Sequence, residues 1–166
     1  MKRTRSCEIY IDGASRGNPG PSGIGVVLLD GAEVPARQLS VYLGETTNNV
    51  AEYLALVYAL QEALRGGYTE VRVKTDSELL ARQINGKYRV RDPHLRLFYD
   101  LAVHLAKGFS ACRVEHIPRT QNRLADRLAG QAAERRSTLM PPAIADSRRD
   151  PIGDDQRMDQ RLSAGL

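Results

Sequence analysis

The sequence predicts an α/β protein built on a mixed sheet with helices on its faces. Three observations carry that expectation. Three apolar stretches rich in β-branched residues come first, separated by glycine, proline and an Asp-Gly pair, as antiparallel hairpins require. From Asn49 the apolar spacing lengthens to that of a helix. After Gly67, strand-like and helix-like stretches alternate, which calls for parallel strands joined by crossovers.

In chain order, Cys7–Ile11 and Gly23–Leu29 read as strands, and Val34–Leu43 as a third, reached through the turn at Asp30-Gly31. Val50, Leu54, Val57, Tyr58 and Leu64 then fall at helical spacing, and Gly66-Gly67 ends that helix. Val71–Thr75 alternates as a strand. Ser77–Ile84 is a short helix closed near Asn85-Gly86. Pro93–Ala106 is another, with Leu95, Phe98, Leu101 and Leu105 on one face and Gly108 as terminator. Cys112–Ile117 is a last strand and Leu124–Arg135 a final amphipathic helix. After Ser137 the pattern stops. Pro141-Pro142, Gly153, scattered Asp and Arg, and the lack of aromatic residues predict one domain over residues 1–136 and a disordered tail over 137–166.

A chain of 166 residues, 42% hydrophobic and 27% charged, falls in the range of a soluble globular protein with one ordinary core. The longest apolar run, Leu54–Leu60, is far short of the roughly 20 residues a membrane span needs. Met1–Arg5 is basic, but Glu8 and Asp12 follow with no apolar stretch between, so no secretory signal is expected. Cys7 and Cys112 make no disulfide or zinc framework; buried free thiols and a cytoplasmic location follow. The surplus behind the net charge of +4 resides in residues 1–136, since the tail sets Arg148, Arg149, Arg157 and Arg161 against Asp146, Asp150, Asp154, Asp155 and Asp159. A modestly basic domain fits a polyanionic partner without requiring one.

Four acids stand where strands end or helices begin. Asp12 follows the first strand in "IYIDGASRGNPGPSG"; Glu52 lies in "ETTNNVAEYLAL", Asp76 in "VKTDSELL" and Asp126 in "QNRLADRLAG". Active sites of open α/β sheets collect at that edge. Each acid also has a plainer reading. Glu52 stands three residues after Asn49, as in a capping box; Asp76 could cap a helix; Asp126 could answer a helix dipole; Asp12 could be a turn residue. Taken together, four acids on one edge repel one another unless a cation sits among them, and all-oxygen sites suit magnesium or manganese. GxSxG, Cys–His and GKS/T patterns are all missing, so no covalent nucleophile or phosphate loop competes with that reading.

The segments "YIDGASRGNPGPSGIG", "ETTNNVAEYLAL", "KTDSELL" and "HIPRTQNRLADRLA", in this order and spacing, resemble the type 1 ribonuclease H family over roughly residues 7–136. The resemblance implies a ribonuclease H-like five-stranded mixed sheet with helices on both faces, and endonucleolytic cleavage of the RNA strand of RNA–DNA hybrids. It implies Asp12, Glu52, Asp76 and Asp126 as ligands of two Mg²⁺ ions, with Mn²⁺ as substitute. Two such ions can activate water and stabilise the leaving oxygen of an in-line displacement. Gly13, Asn18, Thr47, Asn48, Asn49 and Asn122 would face the substrate or hold the backbone beside it, and the glycines of 13–25 would let the chain approach the nucleic acid closely. A monomer is expected. Double-stranded RNA is an alternative substrate, and a non-catalytic nucleic-acid-binding module of the same fold an alternative function.

The chain departs from the family pattern in three places. A long Lys- and Trp-rich insertion of some members is replaced by "NGKYRVRDP", in which Lys87, Tyr88, Arg89 and Arg91 offer a smaller basic loop. In many members a mobile histidine precedes the last acid; here Arg119 takes that place, seven residues before Asp126, unless the motif is counted without gaps, which would give it to His116. Glu78 stands where many members have glutamine, and a carboxylate cannot donate to a base or sugar.

Overall fold

The computed structural model describes residues 3–135, so the tail expected over 137–166 lies outside the described residues. Five strands form one sheet: β1 (Ser6–Ser15), β2 (Gly20–Leu29), β3 (Arg37–Thr46), β4 (Glu70–Thr75) and β5 (Ala111–His116). Their spatial order is β3-β2-β1-β4-β5, antiparallel across the first three and parallel from β1 to β4 to β5. The helices are α1 (Asn48–Arg65), α2 (Glu78–Ile84), α3 (Pro93–Ala106) and α4 (Arg123–Glu134). This is the mixed sheet read from the sequence, hairpins first and crossovers after.

Alternation along β1 divides its side chains between two faces. Cys7, Ile9 and Ile11 join Ile24, Val26, Leu28 and Val73 against Tyr53, Leu56 and Leu60 of α1, and α3 packs outside α1. The other face of β1 and β2 is covered by α4 at close range. A Cβ on Gly23 would come within 2.5 Å of Ala132 Cβ, and one on Gly25 would fall on the Ala125 carbonyl oxygen. Gly23 and Gly25 therefore oppose Ala125, Ala129 and Ala132, all fully buried, in a seam with no room for side chains.

Two strand limits differ from expectation. β1 does not end at Ile11, because β2 pairs with it as far as Ser15↔Ser22. Asp12 therefore lies inside a strand, opposite Gly25. β3 begins at Arg37, and Val34 is an exposed loop residue (70%), since the Ala36 amide donates to the Leu28 carbonyl and starts the pairing late.

Candidate active site

The parallel register of β1 on β4 ends at Ile11↔Thr75, so the next residues, Asp12 and Asp76, emerge side by side. Glu52 reaches them from the second turn of α1. That approach is possible because residue 13 is glycine: a Cβ there would stand 2.5 Å from the Ala51 carbonyl carbon and the Glu52 nitrogen. Carboxylate oxygens of Asp12, Glu52 and Asp76 lie within 4.8 Å of one another. Asp126, in the first turn of α4, borders the same cleft of about 400 Å³.

Capping, the plainer reading of Glu52 and Asp76, belongs to other residues. Thr47 caps α1, its hydroxyl accepting from the Val50 amide at 3.3 Å, and Asn18 Oδ1 accepts from the Asn48 amide at 3.1 Å. Ser77 caps α2, accepting from Leu80 at 3.2 Å. Neither Glu52 nor Asp76 is needed to end its helix. Asp126 does lie where a helix dipole favours an acid, and it also faces the cleft.

Asp12 and Glu52 are almost fully buried, at 5% and 6% exposure. Burial, then the Glu52 and Asp76 charges, pushes the Asp12 carboxyl up to about 10. Burial followed by Asp76 raises Glu52 to about 8, against smaller opposing pulls that include Arg119. Glu52 Oε2 is buried with no hydrogen-bond partner among the described residues. An acceptor left in that state is costly, and a cation would satisfy it. Three converging carboxylates with an orphaned oxygen fit a hard divalent ion such as Mg²⁺ or Mn²⁺, which takes oxygen ligands.

The remaining expected site residues divide. Gly13 lines the cleft, but its lack of a side chain is demanded by α1. The glycines at 20, 23 and 25 likewise meet protein backbone rather than open space, which corrects the expectation that they clear a path for nucleic acid. Asn48 lines the cleft, and Asn48 and Asn49 are exposed. Asn122 is not a surface contact: it is 1% exposed, and its amide donates to the Ile11 carbonyl at 2.8 Å and faces Asp76 Oδ1 at 3.5 Å. It is a strut between β1, Asp76 and α4, since the Asp126 amide donates to its carbonyl.

Arg119 opens a single 3-10 turn, Arg119–Gln121, and donates to Asp126 Oδ1 at 3.1 Å; His116 is the last residue of β5. Lys87, Tyr88 and Arg89 lie outside the cleft on the loop between α2 and α3, all exposed, with the Arg82 guanidinium 5.2 Å from the Tyr88 ring. Gln83 fixes that loop by donating to the Arg89 carbonyl at 3.3 Å while accepting from the Tyr53 hydroxyl at 2.6 Å. Sequence reading missed Ser15 and Ser77 in the cleft wall. Helix-start position was the available signal for Ser77. Ser15 had none, its hydroxyl being turned to the Gly17 and Thr46 carbonyls.

Comparison with known proteins adds kinship to this geometry. Residues 10–132 match the family model described as reverse transcriptase-like. Ribonuclease HI of Halobacterium salinarum is 40% identical over 125 residues, covering 75% of this chain and 63% of that protein. The solved N-terminal ribonuclease H domain of Rv2228c from Mycobacterium tuberculosis superimposes with a TM-score of 0.75 at 40% identity, over 77% of this chain and 98% of that one. LC11 ribonuclease H1, isolated from compost and solved with an RNA/DNA hybrid, gives 0.73 at 42% identity, over 77% and 96%. The chain spans 63% of the Halobacterium protein's length and 35% of full-length Rv2228c. The strand order, the convergent acids and these matches lead to one conclusion: the chain belongs to the type 1 ribonuclease H family.

Proposed function

We propose that this protein is a metal-dependent endonuclease that hydrolyses the RNA strand of RNA–DNA hybrids, leaving 5′-phosphate and 3′-hydroxyl ends. The observation that carries the reading is the meeting of Asp12, Glu52 and Asp76 within 4.8 Å, with an oxygen of Glu52 that no described residue satisfies. Asp12, Glu52, Asp76 and Asp126 would hold two Mg²⁺ ions, or Mn²⁺ in their place. Bound there, the ions supply a water of lowered pKa and positive charge for the leaving oxygen. The protein's part is positional. Asn122 and Gly13 set the spacing of the acids, and the sheet excludes water from two of them. Asn18, Asn48 and Asn49 present polar groups at the start of α1, where the 2′-hydroxyls and base edges of a wide minor groove can be met.

The hybrid bound by the LC11 relative supports the choice of substrate, and retention of all four acids argues against a non-catalytic module. Free thiols at Cys7 and Cys112 support a cytoplasmic setting, and no described helix is long and apolar enough to cross a membrane. We take the working unit to be a monomer made by residues 1–136. One gel tests the proposal: labelled hybrid, RNA duplex, DNA duplex and single-stranded RNA, each with Mg²⁺, Mn²⁺ or EDTA. Cleavage confined to the hybrid and abolished by EDTA is expected. Cleavage that survives EDTA, or equal cutting of DNA duplex, overturns the metal-acid mechanism, and stronger cutting of RNA duplex reassigns the substrate.

The basic loop should contribute to binding through phosphates. Lys87, Arg89 and Arg91 are exposed and make no ion pair among the described residues. Replacing all three with alanine should flatten the slope of log affinity against log salt by roughly 0.9 for each phosphate that is no longer neutralised. A hybrid-binding titration across salt concentrations reads this directly, and an unchanged slope assigns the loop to solvent.

A further inference from the structure

We propose that Arg119 is a built-in counter-ion that competes with a second divalent cation for Asp126, so that the two metal positions fill in order. The inference rests on the metal-centre reading above and goes beyond it by giving the two positions unequal affinity and naming the cause. Oxygens of Asp12, Glu52 and Asp76 converge within 4.8 Å of one another, whereas Asp126 meets the group at its edge, beside Asp12. Its Oδ1 instead accepts a hydrogen bond from the Arg119 guanidinium at 3.1 Å. The Arg119 charge is felt by the other acids too, most strongly by Asp126, and among the described residues only Asp126 of the four holds it in an ion pair.

The local architecture suits a contact that is made and released without moving the backbone. The Gln121 amide donates to Pro118 and the Asn122 amide to Arg119, closing the 3-10 turn, and the buried Asn122 side chain pins its end to β1. The Arg119 side chain itself is 78% exposed, and that of Asp126 39%. An ion pair open to water is weak, so it delays a divalent ion without excluding it. The apparent affinity of that ion falls by the fraction of Asp126 left unpaired, which for an exposed pair is a factor of roughly two to five.

Calorimetric titration of Mn²⁺ into the metal-free full chain tests this without recourse to activity. Wild type should bind one ion and then a weaker second. Arg119→Ala should tighten the second roughly two- to fivefold and change the first less. Arg119→Lys, which keeps a charge, should fall between. Asp126→Asn should lose the second ion, and adding Arg119→Ala to it should then change nothing. A second ion no tighter in Arg119→Ala overturns the proposal. So does equal tightening of both ions, or an Arg119→Ala effect that persists beside Asp126→Asn, since either reports a general field rather than competition for Asp126. If wild type binds no Mn²⁺, or Asp12→Asn binds it as well as wild type, the metal-centre reading itself falls. That outcome is distinct from two ions bound with no Arg119 dependence.

Discussion

Replacing Asp12 with asparagine should lower the cleavage rate by more than about 100-fold, the scale for losing one preorganised electrostatic group. The metal-free protein should meanwhile become no less stable, and at alkaline pH more stable. The sign follows from the burial of this carboxyl. Unfolded, Asp12 releases its proton near 3.8; folded, burial and the neighbouring acids hold the proton up to about 10. Between those values the folded state binds the extra proton, so stability is greatest below the lower pKa and falls as pH rises toward the upper one. Asparagine has no proton to lose and escapes that decline. Its advantage should be near zero at pH 4 and reach about 1 kcal/mol or more by pH 8, one pKa unit being worth about 1.4 kcal/mol. Added Mg²⁺ should raise the melting temperature of wild type more than that of the variant, because a ligand stabilises the state it binds. Thermal and urea melts at several pH values, with EDTA and with Mg²⁺, beside one cleavage assay, check these statements. A destabilised but active variant would make Asp12 a structural acid.

Gly25→Ala should be the most damaging single methyl group in the domain. The new Cβ would overlap the Ala125 carbonyl oxygen and stand 2.9 Å from the Ala129 nitrogen, so α4 must lift from the sheet. The expected loss is about 3 kcal/mol or more, the upper end for overpacking. Because Asp126 and the Asn122 strut ride on the start of α4, bound metal should weaken at the same time. Gly130→Ala in the same helix is the control. Its Cβ meets nothing within 4 Å, and it should gain about 0.5–1 kcal/mol from the lower entropy of the unfolded chain. Denaturant melts of the two variants distinguish a seam from a general intolerance of α4 to side chains. Similar values for both would dismiss the seam.

What the sequence revealed and what it hid follow the range of the forces involved. Element order was legible because apolar spacing and glycine or proline punctuation are local. The four acids were legible because each sits at a fixed offset from a local signal. The extent of β1 was not: Asp12 to Ser15 look like a turn until β2 is there to pair with them. The glycines were misassigned for a related reason. "GNPGPSGIG" has the composition of a loop, whereas Gly23 and Gly25 are set by a helix about a hundred residues later in the chain. Asn122 resembles a surface contact in a motif and becomes a buried strut only when the Ile11 carbonyl is above it. The Arg119–Asp126 pair, seven residues apart, depends on a single 3-10 turn that no periodicity announces.

The strut and the seam also bear on how such a protein is made. Its acids come from positions 12, 52, 76 and 126, and the last arrives on the final helix of the domain, which also closes one face of the sheet. A chain still emerging from the ribosome holds three of them but lacks Asp126, Arg119 and Asn122 until nearly the whole domain has been synthesised. A nascent chain therefore carries an incomplete set of acids until α4 has docked over Gly23 and Gly25. Closing one face of the sheet and completing the acid set are thereby a single late event in synthesis, fixed by the order of the elements.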